Sequence, residues 1–98
     1  MVDGEMQKED EPYKVYMVEC SDNSIYTGIA KDVDKRLNQH SKGIGSKYVR
    51  ARLPITLQWT SDGMDLSSAL KMEHRIKSWS KEKKEQWINV DHLDGYER

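Results

Sequence analysis

Tyr13-Lys14-Val15-Tyr16-Met17-Val18-Glu19-Cys20, then Ser21-Asp22-Asn23, then Ser24-Ile25-Tyr26-Thr27-Gly28-Ile29, is the stretch that decides the fold. Its first part is rich in β-branched and aromatic residues, and the near-continuous apolar middle suits a central strand. Ser-Asp-Asn is turn chemistry, and the residues after it supply a second strand. So short a connection permits only antiparallel pairing, which makes the pair a β-hairpin.

Downstream, Asp32 is the N-cap of a helix reaching His40 or Ser41. Val33 and Leu37 mark its buried stripe, and Arg36 and His40 a neighbouring face. Gly43 and Gly45 break that helix, and the basic run Lys47 to Arg52 forms a short helical turn that Pro54 stops. Ile55 to Thr60 alternates apolar and polar residues as a half-buried strand does. Asp65 caps a longer helix from Leu66 to about Ser78, with Leu66, Ala69, Leu70, Glu73 and Ile76 on its inner stripe. Ser80 caps a last helix held by Trp87 and Ile88. The order ββαβαα predicts an α+β domain, a small and mainly antiparallel three-stranded sheet flanked by helices. The domain is placed at residues 13–89, after a disordered acidic head at 1–12 and before a frayed tail at 90–98.

The chain has 98 residues, 36% apolar and 34% charged, enough for one domain with a small core. No apolar run exceeds Val15 to Val18, which excludes a membrane span and a signal-peptide core, so no membrane partner is expected. Cys20 is alone, which excludes an intrachain disulfide and multi-cysteine zinc sites and points to a reducing, intracellular and cytoplasmic compartment. The net charge of −1 hides a division. Asp3, Glu5, Glu9, Asp10 and Glu11 face Lys8 alone in the head, whereas seven bases face only Asp32 and Asp34 between Lys31 and Arg52. A local basic cluster of this kind is what phosphate binding needs.

Tyr16, Tyr26, Arg36, His40 and Glu73 recur where a compact fold prefers apolar residues. Each has a plain structural role open to it: strand packing for the tyrosines, a solvated helix position for Arg36, a helix C-terminal charge for His40, neutralisation of a base for Glu73. If the tyrosines share a facing across the hairpin, two phenols converge on one side of the sheet. Other constellations are weaker. Cys20 and His40 as a thiol and base have no third group to position them. His74 and His92 lack ligands at metal spacing. The tryptophans suit the core, and Lys81 to Glu85 a solvated helix face.

Val-Tyr-Met at 15–17, Tyr-Thr-Gly at 26–28, Arg36, and Glu73 within Ala69-Leu70-Lys71-Met72-Glu73-His74-Arg75-Ile76-Lys77 together resemble the GIY-YIG nuclease superfamily. The resemblance runs from about Tyr13 to Ile88 and is greatest to its small single-domain UPF0213-type members, which are similar to the catalytic module of structure-selective Holliday-junction nucleases. Asp32 to Leu37 and the Lys-Tyr-x-Arg core of Gly43 to Arg52 match as well. Lys14 and Val15 stand where the motif name has Gly and Ile, and Thr27 replaces its second Ile.

The resemblance implies a metal-dependent endonuclease that hydrolyses DNA, at branched or nicked structures in some members. Glu73 would hold one Mg²⁺ or Mn²⁺, and Arg36 would fork onto the non-bridging oxygens. Tyr16 would be the base, which a phenol with an ordinary pKa of about 10 becomes only beside positive charge such as Arg36 or Lys47. Tyr26 would orient water or phosphate, His40 would relay a proton or contact phosphate, and Gly28 would let backbone approach the site. Lys42, Lys47, Arg50 and Arg52 would grip the DNA backbone without reading sequence. The alternative is a non-catalytic nucleic-acid-binding module using the same basic surface. Both readings leave room for a protein partner that supplies specificity.

Overall fold

The structure, a computed structural model, describes residues 12–97, with side chains described through Val90. The acidic head thus lies almost wholly outside the described residues. The elements are β1 (Lys14–Glu19), β2 (Ile25–Ala30), α1 (Val33–Ser41), α2 (Lys47–Arg50), β3 (Thr56–Thr60), α3 (Leu66–Lys77) and α4 (Lys81–Glu97). The last helix continues past Asn89, where the sequence reading ends the domain.

β1 is the middle strand of the order β2-β1-β3 and is antiparallel to both neighbours. That position explains its composition, since Val15, Tyr16, Met17 and Val18 are all fully buried, two on each face. Val15 and Met17 pack with Trp59, Ala69 and Ile76 toward α3. Tyr16 and Val18 pack with Ala30 and Val33 toward α1. A bulge between Met17 and Val18 shifts the β3 register, so Met17 faces Trp59 and Val18 faces Leu57.

The helix starts follow local chemistry. Asp32 accepts from the Lys35 amide, Ser46 from Val49, Asp65 from Ser68 and Ser80 from Lys83. Two sequence readings of helix facing need correction. Leu66 and Leu70 are 43% and 47% exposed, and the line that meets the sheet is Ala69, Met72 and Ile76, with Glu73 at its margin. The Lys81 to Glu85 run is not wholly solvated either, for Lys84 is buried and its Nζ donates to the Ile25 carbonyl at 3.1 Å. It thereby covers part of the free edge of β2. Burial first, then nearby Lys77, lowers its pKa.

Candidate active site

The hairpin register places Tyr16 opposite Gly28 and Val18 opposite Tyr26, so the two tyrosines sit diagonally across β1 and β2. Their ring centroids are 6.4 Å apart on the α1 face of the sheet. The Tyr16 ring lies over Gly28 so closely that a Cβ there would stand 2.6 Å from the phenol oxygen. Glycine at 28 is therefore required by the ring that crosses it, not by a turn.

His40, in the last turn of α1, completes the cluster. It is 1% exposed, and its Nε2 shares a 2.9 Å hydrogen bond with Tyr16 Oη. The Tyr26 ring meets the imidazole edge-on, with centroids 5.7 Å apart. His40 Nδ1 is buried without a hydrogen-bond partner among the described residues, and a Cβ on Gly45 would lie 3.6 Å from it. The glycine loop that follows α1 therefore closes over the imidazole, and the positive φ of 105° at Gly45 suits glycine there.

Electrostatics ties in the other groups. Burial first, then the Tyr26 phenol, pushes Tyr16 up to about 12, Glu73 adds to the rise, and Arg36 pulls against it by charge and hydrogen bonding. Burial, and after it Arg36, lowers the pKa of His40 from 6.5. Tyr26, Arg36, His40 and Glu73 thus all act on the one buried phenol at 16. The positive charge expected beside Tyr16 is present in Arg36, yet burial outweighs it. Cys20 forms no part of the site. Burial raises its thiol pKa, and His40 gives Nε2 to Tyr16.

Glu73, with its side chain 18% exposed, is paired with Lys77 at 3.1 Å. No group of three or more His, Cys, Asp or Glu suited to a metal exists among the described residues. One accessible carboxylate fits a hard ion that fills its other positions with water and phosphate oxygens, and it does not fit structural zinc.

Of the basic residues, Lys42, Lys47 and Arg50 are on or beside the loop and α2, and all three are exposed. Arg52 is engaged by Asp22 at 2.9 Å and lies over the Tyr48 ring, 3.7 Å from its centroid. Tyr48 stacks in turn with Tyr26, with centroids 6.0 Å apart and planes 25° apart. Sequence reasoning gave Tyr48 no role. Its only local signal is an aromatic set between Lys47 and Arg50 in a basic turn.

The GIY-YIG catalytic domain family model matches residues 12–86. A UPF0213 protein of Haloquadratum walsbyi is 49% identical over 72 residues, covering 74% of this chain and 81% of the relative. One from Vibrio cholerae is 47% identical over 90 residues, covering 85% and 87%. Among solved structures, a UPF0213 protein of Bacillus halodurans is similar at 40% identity and a TM-score of 0.52, covering 80% of this chain and 83% of that one. A protein of E. faecalis is similar at 31% identity and a TM-score of 0.60, covering 84% and 88%.

Proposed function

The chain belongs to the GIY-YIG catalytic-domain family, a nuclease family, and on that premise we propose that it is a metal-dependent endonuclease hydrolysing DNA phosphodiester bonds. The observation that carries this reading is the convergence of Tyr26, Arg36, His40 and Glu73 on the buried Tyr16 phenol. Phosphodiester hydrolysis needs a base for the attacking water, stabilisation of charge growing on phosphorus, and help for the leaving oxygen.

Arg36 supplies the fork that matches two non-bridging oxygens. Tyr16 Oη receives the water proton while its own proton passes to His40 Nε2, 2.9 Å away. Tyr26 orients the water or the phosphate with its hydroxyl. Glu73, now paired with Lys77 at 3.1 Å, would hold Mg²⁺ or Mn²⁺, which would supply positive charge to counter that growing on the phosphate and the departing oxygen. Lys42, Lys47 and Arg50 hold the backbone away from the cut. No helix among the described residues is long and apolar enough to cross a membrane.

Linear, nicked and branched DNA incubated with Mg²⁺ or Mn²⁺ tests the proposal directly. Loss of one charge-stabilising group costs about 10²–10³-fold in rate, so Arg36→Ala and Glu73→Ala should each fall by that order. Undiminished cleavage in Glu73→Ala would end the metal assignment.

A binding module without turnover is the second reading. It is favoured by the Tyr16 pKa of about 12 and by a Glu73 already paired with Lys77. Salt-dependent DNA binding with no cutting across substrates and metals would select it.

A further inference from the structure

We propose that Asp22, Arg52 and Tyr48 form a brace that sets the position of the Tyr26 ring, which makes Arg52 a positioning residue and not a grip on phosphate. Its effect on catalysis rests on the nuclease reading above. Its geometry does not.

The brace closes a ring of contacts. Asp22, in the turn between β1 and β2, accepts at Oδ1 from the Ser24 amide at 3.0 Å and its hydroxyl at 2.6 Å. Its Oδ2 accepts from Arg52 Nε at 2.9 Å. Arg52 Nη1 donates to the Tyr48 carbonyl at 3.0 Å, and the guanidinium covers the Tyr48 ring. A backbone bond from the Ser21 amide to the Arg52 carbonyl, 2.9 Å, ties the same two segments again. Tyr48 then stacks with Tyr26, whose edge contact with His40 leads to Tyr16.

Each part has a reason. Among the described residues β2 pairs only with β1, so the sheet restrains Tyr26 from one side. α2 has four residues and cannot fix Tyr48 by its own hydrogen bonds; it is anchored by the fully buried Val49. Arg52 spends two donors and its planar face on the brace. A lysine has neither a fork nor a plane to offer, so the position is specific for arginine.

The test uses the full chain with labelled tyrosine rings, read by NMR, alongside cleavage kinetics. Arg52→Ala and Arg52→Lys should both shift the Tyr26 ring resonances, because the stacked Tyr48 ring moves. Asp22→Ala, an exposed-turn variant, should shift them in the same direction, and Tyr48→Phe should leave them near wild type. In cleavage, Arg52→Lys should lower kcat about tenfold, with KM changed less than about twofold and the salt slope unaltered. A phosphate grip would show the reverse: a raised KM, a salt slope smaller by about one, and substantial rescue by lysine. That pattern, or Tyr26 resonances unmoved in both Arg52 variants, overturns the brace. If the wild-type chain cuts nothing, the ring resonances still decide the brace, and the failure belongs to the nuclease reading alone.

Discussion

Gly28→Ala is the sharpest test of how the site is built. The new methyl would stand 2.6 Å from Tyr16 Oη, 2.7 Å from Cζ and 3.1 Å from Cε2. Carbon contacts are comfortable only near ~3.5–4.0 Å, so something must move. The phenol has nowhere to go, because Tyr16 is fully buried on the central strand. Gly28 cannot retreat easily either, since it is paired with Tyr16 in the ladder. Overpacking of this kind costs about 1–3 kcal/mol, and replacing glycine by alanine within a strand returns roughly 0.5–1 kcal/mol. The net is a loss of up to about 2.5 kcal/mol, centred at ~1 kcal/mol, which lowers Tm by roughly 5–10 °C at that centre in a domain of this size.

The site should suffer more than the fold. Displacing the phenol by a fraction of an ångström strains its 2.9 Å bond to His40, and misplacement near 1 Å at a reacting group can cost about 10²-fold in rate. Thermal denaturation by circular dichroism, with cleavage measured well below the transition, separates the two effects. If Gly28→Ala melted within about 2 °C of wild type and kept its activity, the account of Gly28 as the floor beneath Tyr16 would be wrong.

Because burial and then Arg36 lower the pKa of His40 below 6.5, the unfolded chain binds a proton more readily than the folded one. Stability should therefore be level above about pH 7 and fall on acidification below 6.5; urea unfolding at several pH values should show it, and His40→Gln should flatten the fall. Ser46→Ala removes the cap on the Val49 amide and should cost about 1 kcal/mol in urea unfolding, loosening the short helix that carries Tyr48. Lys77→Met frees Glu73 of its ammonium neighbour at 3.1 Å, and calorimetric titration with Mn²⁺ should then give a Kd several-fold lower. Its effect on stability should stay within about 1 kcal/mol, because Lys77 is half exposed although Glu73 is only 18% exposed.

The hairpin and the helix starts were legible because their causes are local. Asp32, Ser80 and Asp65 each bond an amide three residues on, and the apolar run at 15–18 marks a strand covered on both faces. The five polar residues proposed for the site stand out in the sequence only as an ordered set. What escaped depends on how elements dock. Leu66 and Leu70 fit a helical stripe as well as Met72 does, and only the sheet beneath α3 decides which line is covered. Lys84 looked like one more charge in a solvated run until its reach to the Ile25 carbonyl across the β2 edge was visible. Arg52 was read by its charge, whereas its contacts are with a turn thirty residues earlier and a ring four residues back. The upward push on Tyr16 was also invisible, since it comes from burial that no spacing reveals.

The same burial that fixes the Tyr16 ring also makes it a poor base by itself. With a pKa of about 12, roughly one molecule in 10⁵ would carry the phenolate at neutral pH, too few for an efficient reaction. Its neighbour supplies the route, for His40 is held neutral and offers Nε2 at 2.9 Å. Arg36 plays on both ends of this bond. It favours phenolate on Tyr16 and disfavours imidazolium on His40, so in the free protein it weakens the acceptor as it eases the donor. An arriving phosphate changes that balance, because two negative oxygens on the guanidinium cancel its repulsion of a protonated imidazole. On the proposed mechanism, substrate would thereby switch on proton acceptance by His40. NMR titration of the His40 ring should give a higher pKa in the DNA complex than in the free chain, and Arg36→Gln should raise the free-chain value on its own. An imidazole that titrates identically in the free chain, the complex and the variant would break the link between Arg36 and the Tyr16–His40 pair.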